Sequence, residues 1–388
     1  MATINIDIAP DIIEWILNHL IEENVSLSII DTLKKWKIGE KKPTFSQLEK
    51  VSNQINIPFG YFFLQEPPAE ENKILEFRTI DSIESQNPSR ELIDTIDNME
   101  DIQEWMKNYQ IKQGYSPLSI IGSMEGVQDI KSVANKMRED MELQEDWYCN
   151  MQDSWNSFKY LRRIMEDQGI LVMLNGVVGQ NTHRSLAIEE FRAFTLIDEY
   201  APLIFINSND SSNGKLFSLL HEAAHIWLGR DNFYNDRYGA GKDVSSLERV
   251  CNSVAAEIIV PNNRFITEWN KNSNISDLER IEKFSEIFKC GATVIARRAL
   301  DNKFINIHEY EKVARDAIEQ YKEFKGNQKS GGGNFYNNIA VKNDRRLILA
   351  LNSSIYEGTT QFTDAYRITN TNRKTFSKLV DKVRGTDV

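Results

Sequence analysis

The segment His221-Glu222-Ala223-Ala224-His225 constrains the fold of this 388-residue chain more than any other feature. Residues four apart lie on one face of an α-helix, so two imidazoles at this spacing can bind one Zn²⁺ ion through neutral nitrogens. The segment from Leu216 to Leu228 is mostly apolar and contains neither Pro nor Gly, which predicts a deeply packed helix. Glu222 would then stand beside the ion, where its carboxylate can remove a proton from a water molecule.

A catalytic zinc ion normally has three protein ligands, so this pattern requires one more. The helix that we predict after Ser245 carries two acids, Glu248 and Glu257, nine residues apart and therefore on opposite faces. Only one of them can face the motif helix, and we prefer Glu248, although Ser245 and Glu248 also fit a helix capping box. Cys251 is an alternative ligand, although a buried free cysteine is more often simply a small apolar residue.

These residues together predict metal-assisted hydrolysis, with Glu222 as the general base that later delivers its proton to the leaving amine. The developing oxyanion needs a hydrogen-bond donor. Tyr234 and Tyr238, in the loop between the two ligand helices, are candidates for that donor. Imidazole and carboxylate ligands suit several divalent ions, so the ligand types leave manganese open beside zinc.

The composition excludes several classes of protein. The 46 Lys and Arg are outnumbered by 57 Asp and Glu, which argues against a protein that coats nucleic acid. The three cysteines are too scattered for a disulfide framework, and no apolar run is long enough to cross a bilayer. The N-terminus has neither a basic leader nor an apolar signal segment, so we expect a cytoplasmic protein.

The hydrophobic pattern predicts a mostly helical α+β protein whose small sheet follows a long helical region. Strand-like segments, rich in β-branched and aromatic residues, occupy residues 170–174, 191–197 and 203–206. We predict four regions: a helical domain at 1–68, a helical connecting region at 69–168, a hydrolase domain with trailing helices at 169–325, and a basic C-terminal extension at 326–388 after a Gly-rich linker.

Several segments in order resemble the ImmA/IrrE family of metallopeptidases. Residues 191–194, Phe-Arg-Ala-Phe, resemble the family's FRGF strand with Ala in place of Gly, and residues 202–207 resemble its P-x-I-x-x-N strand. Residues 215–225 match the family's HExxH helix, and residues 248–261 resemble the segment whose first Glu is the third zinc ligand. The resemblance therefore implies a zincin-like fold, with zinc bound by His221, His225 and Glu248.

The N-terminal part resembles the family variant in which a phage-repressor-type (XRE-like) helix-turn-helix domain precedes the peptidase. The residues that carry this resemblance include 36–40, Pro58 and Phe77-Arg78-Thr79. The resemblance implies cleavage of a protein encoded nearby, typically a repressor or an antitoxin, in a mobile element, a stress response or a toxin–antitoxin-type system. The alternative is a regulatory protein that holds DNA or a partner toxin without cleaving it, with a structural or vestigial metal site.

Two groups of basic residues are candidate contacts to DNA or to a protein partner. The first lies in the N-terminal domain (Lys34, Lys35, Lys37, Lys41 and Lys42) and the second in the C-terminal extension (Arg345 and Arg346). The N-terminal domain contains no arginine, the residue that makes the commonest specific contact to a base. A helical module that docks a protein is therefore the competing interpretation for that domain.

Overall fold

The computed structural model describes residues 5–18, 20, 26–55, 57–67, 88–229, 244–327 and 335–385. Over these residues the chain is mostly helical with a small mixed sheet, which confirms the predicted α+β class. Every helix in the described ranges is too short or too polar to span a lipid bilayer.

The first half of the chain contributes helices α1 (Pro10–Asn18), α2 (Leu27–Lys37), α3 (Phe45–Ile55), α4 (Arg90–Lys112), α5 (Ile130–Asp140) and α6 (Ser154–Asp167), with 3₁₀ turns at Phe59–Phe63 and Trp147–Asn150. The strands are β1 (Leu171–Asn175), β2 (Val177–Val178), β3 (Asn181–Ser185), β4 (Ala193–Leu196) and β5 (Leu203–Asn207). The remaining helices are α7 (Ser212–Leu228), α8 (Val244–Ile259), α9 (Asn262–Lys271), α10 (Asp277–Phe288), α11 (Ala292–Asp301), α12 (Ile307–Asn327), α13 (Phe335–Lys342), α14 (Arg345–Tyr356), α15 (Phe362–Ile368) and α16 (Arg373–Gly385).

The N-terminal helices pack around a small core of their own. Apolar residues three or four apart on α1, α2 and α3 meet there, together with Phe62 from the following 3₁₀ turn. Gly39 ends the α2 segment at φ +74°, a backbone conformation that glycine adopts without strain. The buried members of this core include Ile12, Ile13, Ile16, Leu33, Leu48 and Val51.

The sheet that supports the rest of the chain has the strand order β1-β5-β4. Strand β5 pairs in parallel with β1 and antiparallel with β4, so β4 lies at one edge. These three strands correspond to the three strand-like segments of the sequence. The separate β2–β3 hairpin was not predicted, because β2 is only two residues long and the residues of β3 are polar and largely exposed.

Both faces of this sheet are covered, which explains why its strands are nearly continuous apolar runs rather than alternating ones. One face packs against α6 and α7, with α5 and α8 packed on α7 in the same core, through Val172, Leu174, Ala193, Ile204 and Ile206. The opposite face packs against α4 and the C-terminal helices α13–α16 through Leu171, Met173, Phe194, Leu203 and Phe205.

A network of buried hydrogen bonds joins the C-terminal helices to the sheet. Asp344, fully buried at the N-cap of α14, accepts hydrogen bonds from the backbone N–H groups of Val172 and Leu347, both at 3.0 Å. Arg162 on α6 donates to the carbonyl oxygens of Val172 and Asn343, each at 2.8 Å. The helices of the predicted C-terminal extension therefore belong to the same core as the sheet.

Candidate metal centre

Helix α7 carries the HExxH segment and is held at both ends. The Ser211 hydroxyl caps its N-terminus by accepting a 2.9 Å hydrogen bond from Gly214 N–H. At the other end, a Cβ at Gly229 would overlap the carbonyl oxygen of His225, so a residue without a side chain is needed there. Backbone N–H groups of the loop at 116–127 donate to the last carbonyls of α7, those of Ile226 and Trp227.

Three side chains from two helices converge at one point. The Nε2 atoms of His221 and His225 lie 3.2 Å apart. Each of these nitrogens lies 3.1 Å from a carboxylate oxygen of Glu248 on α8. Both histidines are almost fully buried, whereas the Glu248 side chain is 22% exposed and gives the cluster access to solvent. The cluster therefore has two buried imidazoles and one side, at Glu248, that is open to solvent.

These separations fit a divalent ion with a tetrahedral donor set. Ligand atoms about 2.0–2.1 Å from zinc stand roughly 3.3 Å apart at the corners of a tetrahedron. The three ligand atoms on this chain lie 3.1–3.2 Å from one another, close to that spacing. Two imidazoles and one carboxylate also leave the fourth position to a water molecule, as catalytic zinc sites do.

The electrostatics of the cluster favour an ionised carboxylate. Burial by itself raises the pKa of Glu248, but the hydrogen bonds and charges of His221 and His225 together outweigh it, so this pKa lies well below its usual range. A carboxylate ligand must be deprotonated to bind a cation. Glu248 is therefore in the state that metal binding requires.

Glu222, the candidate general base, is held from the sheet side. The Thr195 hydroxyl on β4 donates a 2.7 Å hydrogen bond to the Oε2 atom of Glu222, and both residues are buried. Thr195 is a member of the site that the sequence analysis missed. Its only signal in the sequence was that it is the one polar residue of β4, and in the structure it shares with Ala193 the face of the sheet on which α7 packs.

The alternative ligands occupy other positions. Glu257 faces away from the histidines and forms a 2.6 Å ion pair with Arg298 on α11, while its carboxylate also accepts from the backbone N–H of Asn262. Cys251 is fully buried beside His225. Burial raises the pKa of the Cys251 thiol, and its sulfur is not among the three donor atoms that converge here.

The remaining predicted site residues are not part of this cluster. Tyr234 and Tyr238 lie outside the described residues. In the N-terminal domain, Lys35, Lys37 and Lys42 pair with Asp31, Glu14 and Asp7 respectively, all on the same domain. The other two lysines predicted there, Lys34 and Lys41, are exposed.

The two arginines predicted as contacts, Arg345 and Arg346, are only partly exposed, at the start of α14. Arg345 lies 4.0 Å from Asp167 on α6, and Arg346 lies close enough to the buried Asp344 to lower the pKa of its carboxyl, against the larger effect of burial. Both side chains therefore lie, partly buried, at the junction between α6 and the C-terminal helices.

Comparison with known protein families gives two matches. Residues 165–300 match the model of the IrrE N-terminal-like domain (Peptidase_M78), and residues 343–382 match a domain of unknown function, DUF8813. No curated protein matches the chain at a significant level. The first match covers the three-stranded sheet, α7 and α8, and supports an ImmA/IrrE family and a metallopeptidase type of function.

Proposed function

We propose that the chain is a zinc-dependent endopeptidase whose ligands are His221, His225 and Glu248. The observation that carries this proposal is the convergence of the three ligand atoms within 3.1–3.2 Å of one another, beside a buried acid on the same helix. The match to the Peptidase_M78 model supports the assignment, because it spans the helices that supply all three ligands.

Each residue of the site has a separate chemical task in this proposal. When bound, zinc supplies Lewis acidity toward a water molecule and a peptide carbonyl. Glu222 takes the proton of the attacking water and passes it to the leaving amine. Thr195 is a positioning residue, since its hydrogen bond fixes the orientation of the Glu222 carboxylate. The open side of the cluster at Glu248 admits the substrate.

The proposed substrate is a folded or partly folded protein, such as a repressor or an antitoxin encoded beside this chain. We assign its recruitment to the N-terminal helical domain. Three of the five candidate DNA-contacting lysines pair with acids of that same domain, which reduces the positive charge available to phosphates. This charge pattern supports docking of a protein over binding of DNA, whether or not the domain is of the helix-turn-helix type.

The test combines metal analysis with incubation of the purified chain and the products of neighbouring genes. We expect one zinc ion per chain, and cleavage of one partner protein that stops with Glu222→Gln while the zinc content stays unchanged. Zinc bound with full occupancy and a partner that remains intact would favour the non-proteolytic alternative. Undiminished cleavage by Glu222→Gln would remove Glu222 from the role of general base.

A further inference from the structure

The last three helices of the chain include two helices that are joined by a short turn. Helix α15 (Phe362–Ile368) is followed by the turn at residues 369–372 and then by α16 (Arg373–Gly385). Both helices pack against α14, and the apolar residues of all three share one core. Two helices joined by a turn of this length are typical of the helix-turn-helix motif.

Local hydrogen bonds fix the turn between α15 and α16. The Thr369 hydroxyl donates to the carbonyl oxygen of Ala365 at 2.7 Å, at the end of α15. Asn370 has φ +50°, in the left-handed region that asparagine adopts more readily than most residues. The Oδ1 atom of Asn372 then accepts a 3.0 Å hydrogen bond from the backbone N–H of Thr375, which caps the start of α16. The turn therefore ends one helix and begins the next without a longer loop.

Helix α16 is amphipathic, and its solvent-facing side is basic. The helix carries five basic residues and a single acid, Asp381. Its buried side consists of Thr375, Phe376, Leu379, Val380 and Val383. The exposed side chains are Arg373, Lys374, Ser377, Lys378, Asp381 and Arg384. Because the whole chain has a net charge of −11, this positive charge is a local property of α16.

The positive charge of this exposed face is available to a partner. Within the described part of the chain, the side chains of Arg373, Lys374 and Arg384 form no ion pair. The acidic helix α4 contacts α14 and α15, and there Arg367 on α15 pairs with Asp101 on α4 at 3.1 Å. The exposed face of α16 therefore suits an anionic partner.

We propose that α16 binds duplex DNA in the major groove, with Arg373, Lys374 and Lys378 in contact with bases and phosphates. The second helix of a helix-turn-helix motif enters this groove with its N-terminal residues toward the base edges, and the three residues occupy the first two turns of α16. Arginine makes the commonest specific contact to a base. Helix α16 carries two arginines, whereas the N-terminal domain has none.

This surface differs from both groups of basic residues that the sequence suggested as contacts. Three of the five N-terminal lysines pair with acids of their own domain. Arg345 and Arg346 are only partly exposed, at the start of α14. DNA binding by α16 also does not require the proposed hydrolytic activity, so the two can be tested separately.

The experiment measures binding of the full chain to a fluorescent DNA duplex of mixed sequence by anisotropy, without a partner protein. The comparison probes are an RNA duplex of the same sequence and poly-glutamate at the same concentration of charge. We expect DNA to bind about tenfold tighter or more than either probe, because the major groove of DNA admits an α-helix whereas that of duplex RNA is too deep and narrow. The affinity should also fall steeply with salt, because phosphate contacts release counterions.

A triple variant then locates the surface. Replacement of Arg373, Lys374 and Lys378 by Gln should weaken DNA binding about tenfold or more. It should also reduce the slope of log affinity against log salt concentration by about two to three, since each phosphate contact contributes about 0.9. All three residues are exposed, so the melting temperature should stay unchanged.

Two further variants serve as controls. Replacement of Lys303, Lys312 and Arg315 by Gln removes the same residue types from exposed positions on or just before α12, and DNA binding should be nearly unchanged. Replacement of Lys34 and Lys41 by Gln tests the exposed lysines of the N-terminal domain, and it too should leave DNA binding nearly unchanged.

The proposal is overturned if the α16 variant binds DNA as well as the unaltered chain does, or if the α12 variant loses binding to the same extent. It is equally overturned if the N-terminal variant alone loses binding. Poly-glutamate or duplex RNA that binds as tightly as DNA would also overturn it, since α16 would then be a surface for an acidic protein or for RNA.

Discussion

The hydroxyl of Thr195 lies 2.7 Å from Oε2 of Glu222 and joins the edge strand β4 to the HExxH helix. The same hydroxyl also lies 3.3 Å from the backbone carbonyl oxygen of Glu222, so it contacts both the side chain and the backbone of that residue. The acid that acts in the proposed reaction is thus oriented by the sheet and not only by its own helix.

Thr195→Val keeps the shape of this side chain but removes the hydrogen bond to Glu222. We expect kcat for cleavage of the partner protein to fall about tenfold to hundredfold, because a hydrogen bond to a charged group contributes about 1.5–3 kcal/mol. KM and zinc content should stay unchanged, and Thr195→Ser should restore most of the rate. A Val variant with normal kcat, or a Ser variant as slow as Val, would contradict this role.

The two acids of α8 are expected to have opposite phenotypes. Glu248→Gln should weaken zinc affinity about hundredfold or more, measured by competition with a chelator, because it removes an anionic ligand. Glu257→Gln should leave zinc affinity unchanged but lower the free energy of unfolding by about 3 kcal/mol, since it leaves the buried Arg298 without its ion pair. Loss of zinc affinity in Glu257→Gln alone would reverse the assignment of the third ligand.

The carboxyl of Glu166 is expected to make stability depend on pH. Burial, together with the nearby Asp344, raises the pKa of Glu166 from 4.5 to about 7 despite its ion pair with Arg162. The folded state therefore holds this proton more tightly than the unfolded chain does. Its contribution to stability is complete below pH 4.5 and is lost as the pH rises through about 7.

Urea denaturation of the wild type and of Glu166→Gln can isolate this contribution. We expect the wild type to lose more stability than the variant between about pH 5.5 and about pH 8, since the variant has no proton to release at this position. Identical pH profiles for the two proteins would show that Glu166 does not titrate in this range.

The shared core predicts that the C-terminal helices and the metal centre unfold together. Leu351 on α14 is fully buried in the core under the sheet, so Leu351→Ala should cost about 2–5 kcal/mol. In Leu351→Ala, zinc release and the loss of helical circular dichroism should still occur together, at a lower denaturant concentration than in the wild type. Lys374→Ala, at an exposed position on α16, should change neither. Early loss of helix with zinc retained would indicate that the C-terminal helices are an independent unit.

The spacing of the motif residues was enough to predict where the two histidines lie relative to each other. The helical period places His221 and His225 on one face of α7, and the same argument separates Glu248 from Glu257 on α8. The sequence could not reveal Thr195 in the same way. Because β4 is buried on both faces, its pattern does not show which face α7 covers, so the sequence could not place its one polar residue beside Glu222.

Other features depend on contacts between distant parts of the chain. Residues 326–388 suggested an appended unit because a Gly-rich stretch lies near their start and the segment is basic in an otherwise acidic chain. The buried Asp344 and its bond to the backbone of Val172 could not be inferred, since nothing local distinguishes this aspartate from an ordinary helix cap. Helix α9 begins directly after Pro261, its N-cap, which makes no side-chain hydrogen bond to the helix, so no capping side chain marks its start in the sequence.

The cover that the last helices provide for the sheet has a consequence for synthesis on the ribosome. Leu171, Phe194 and Phe205 share their core with α4 and with the C-terminal helices, so we expect this face of the sheet to be only partly covered until α14 has left the exit tunnel. Until then, a nascent chain that already contains both histidines and Glu248 should still expose part of this apolar surface. We therefore expect the metal-binding helices to reach their final packing only near the end of translation, through residues that never touch the ion.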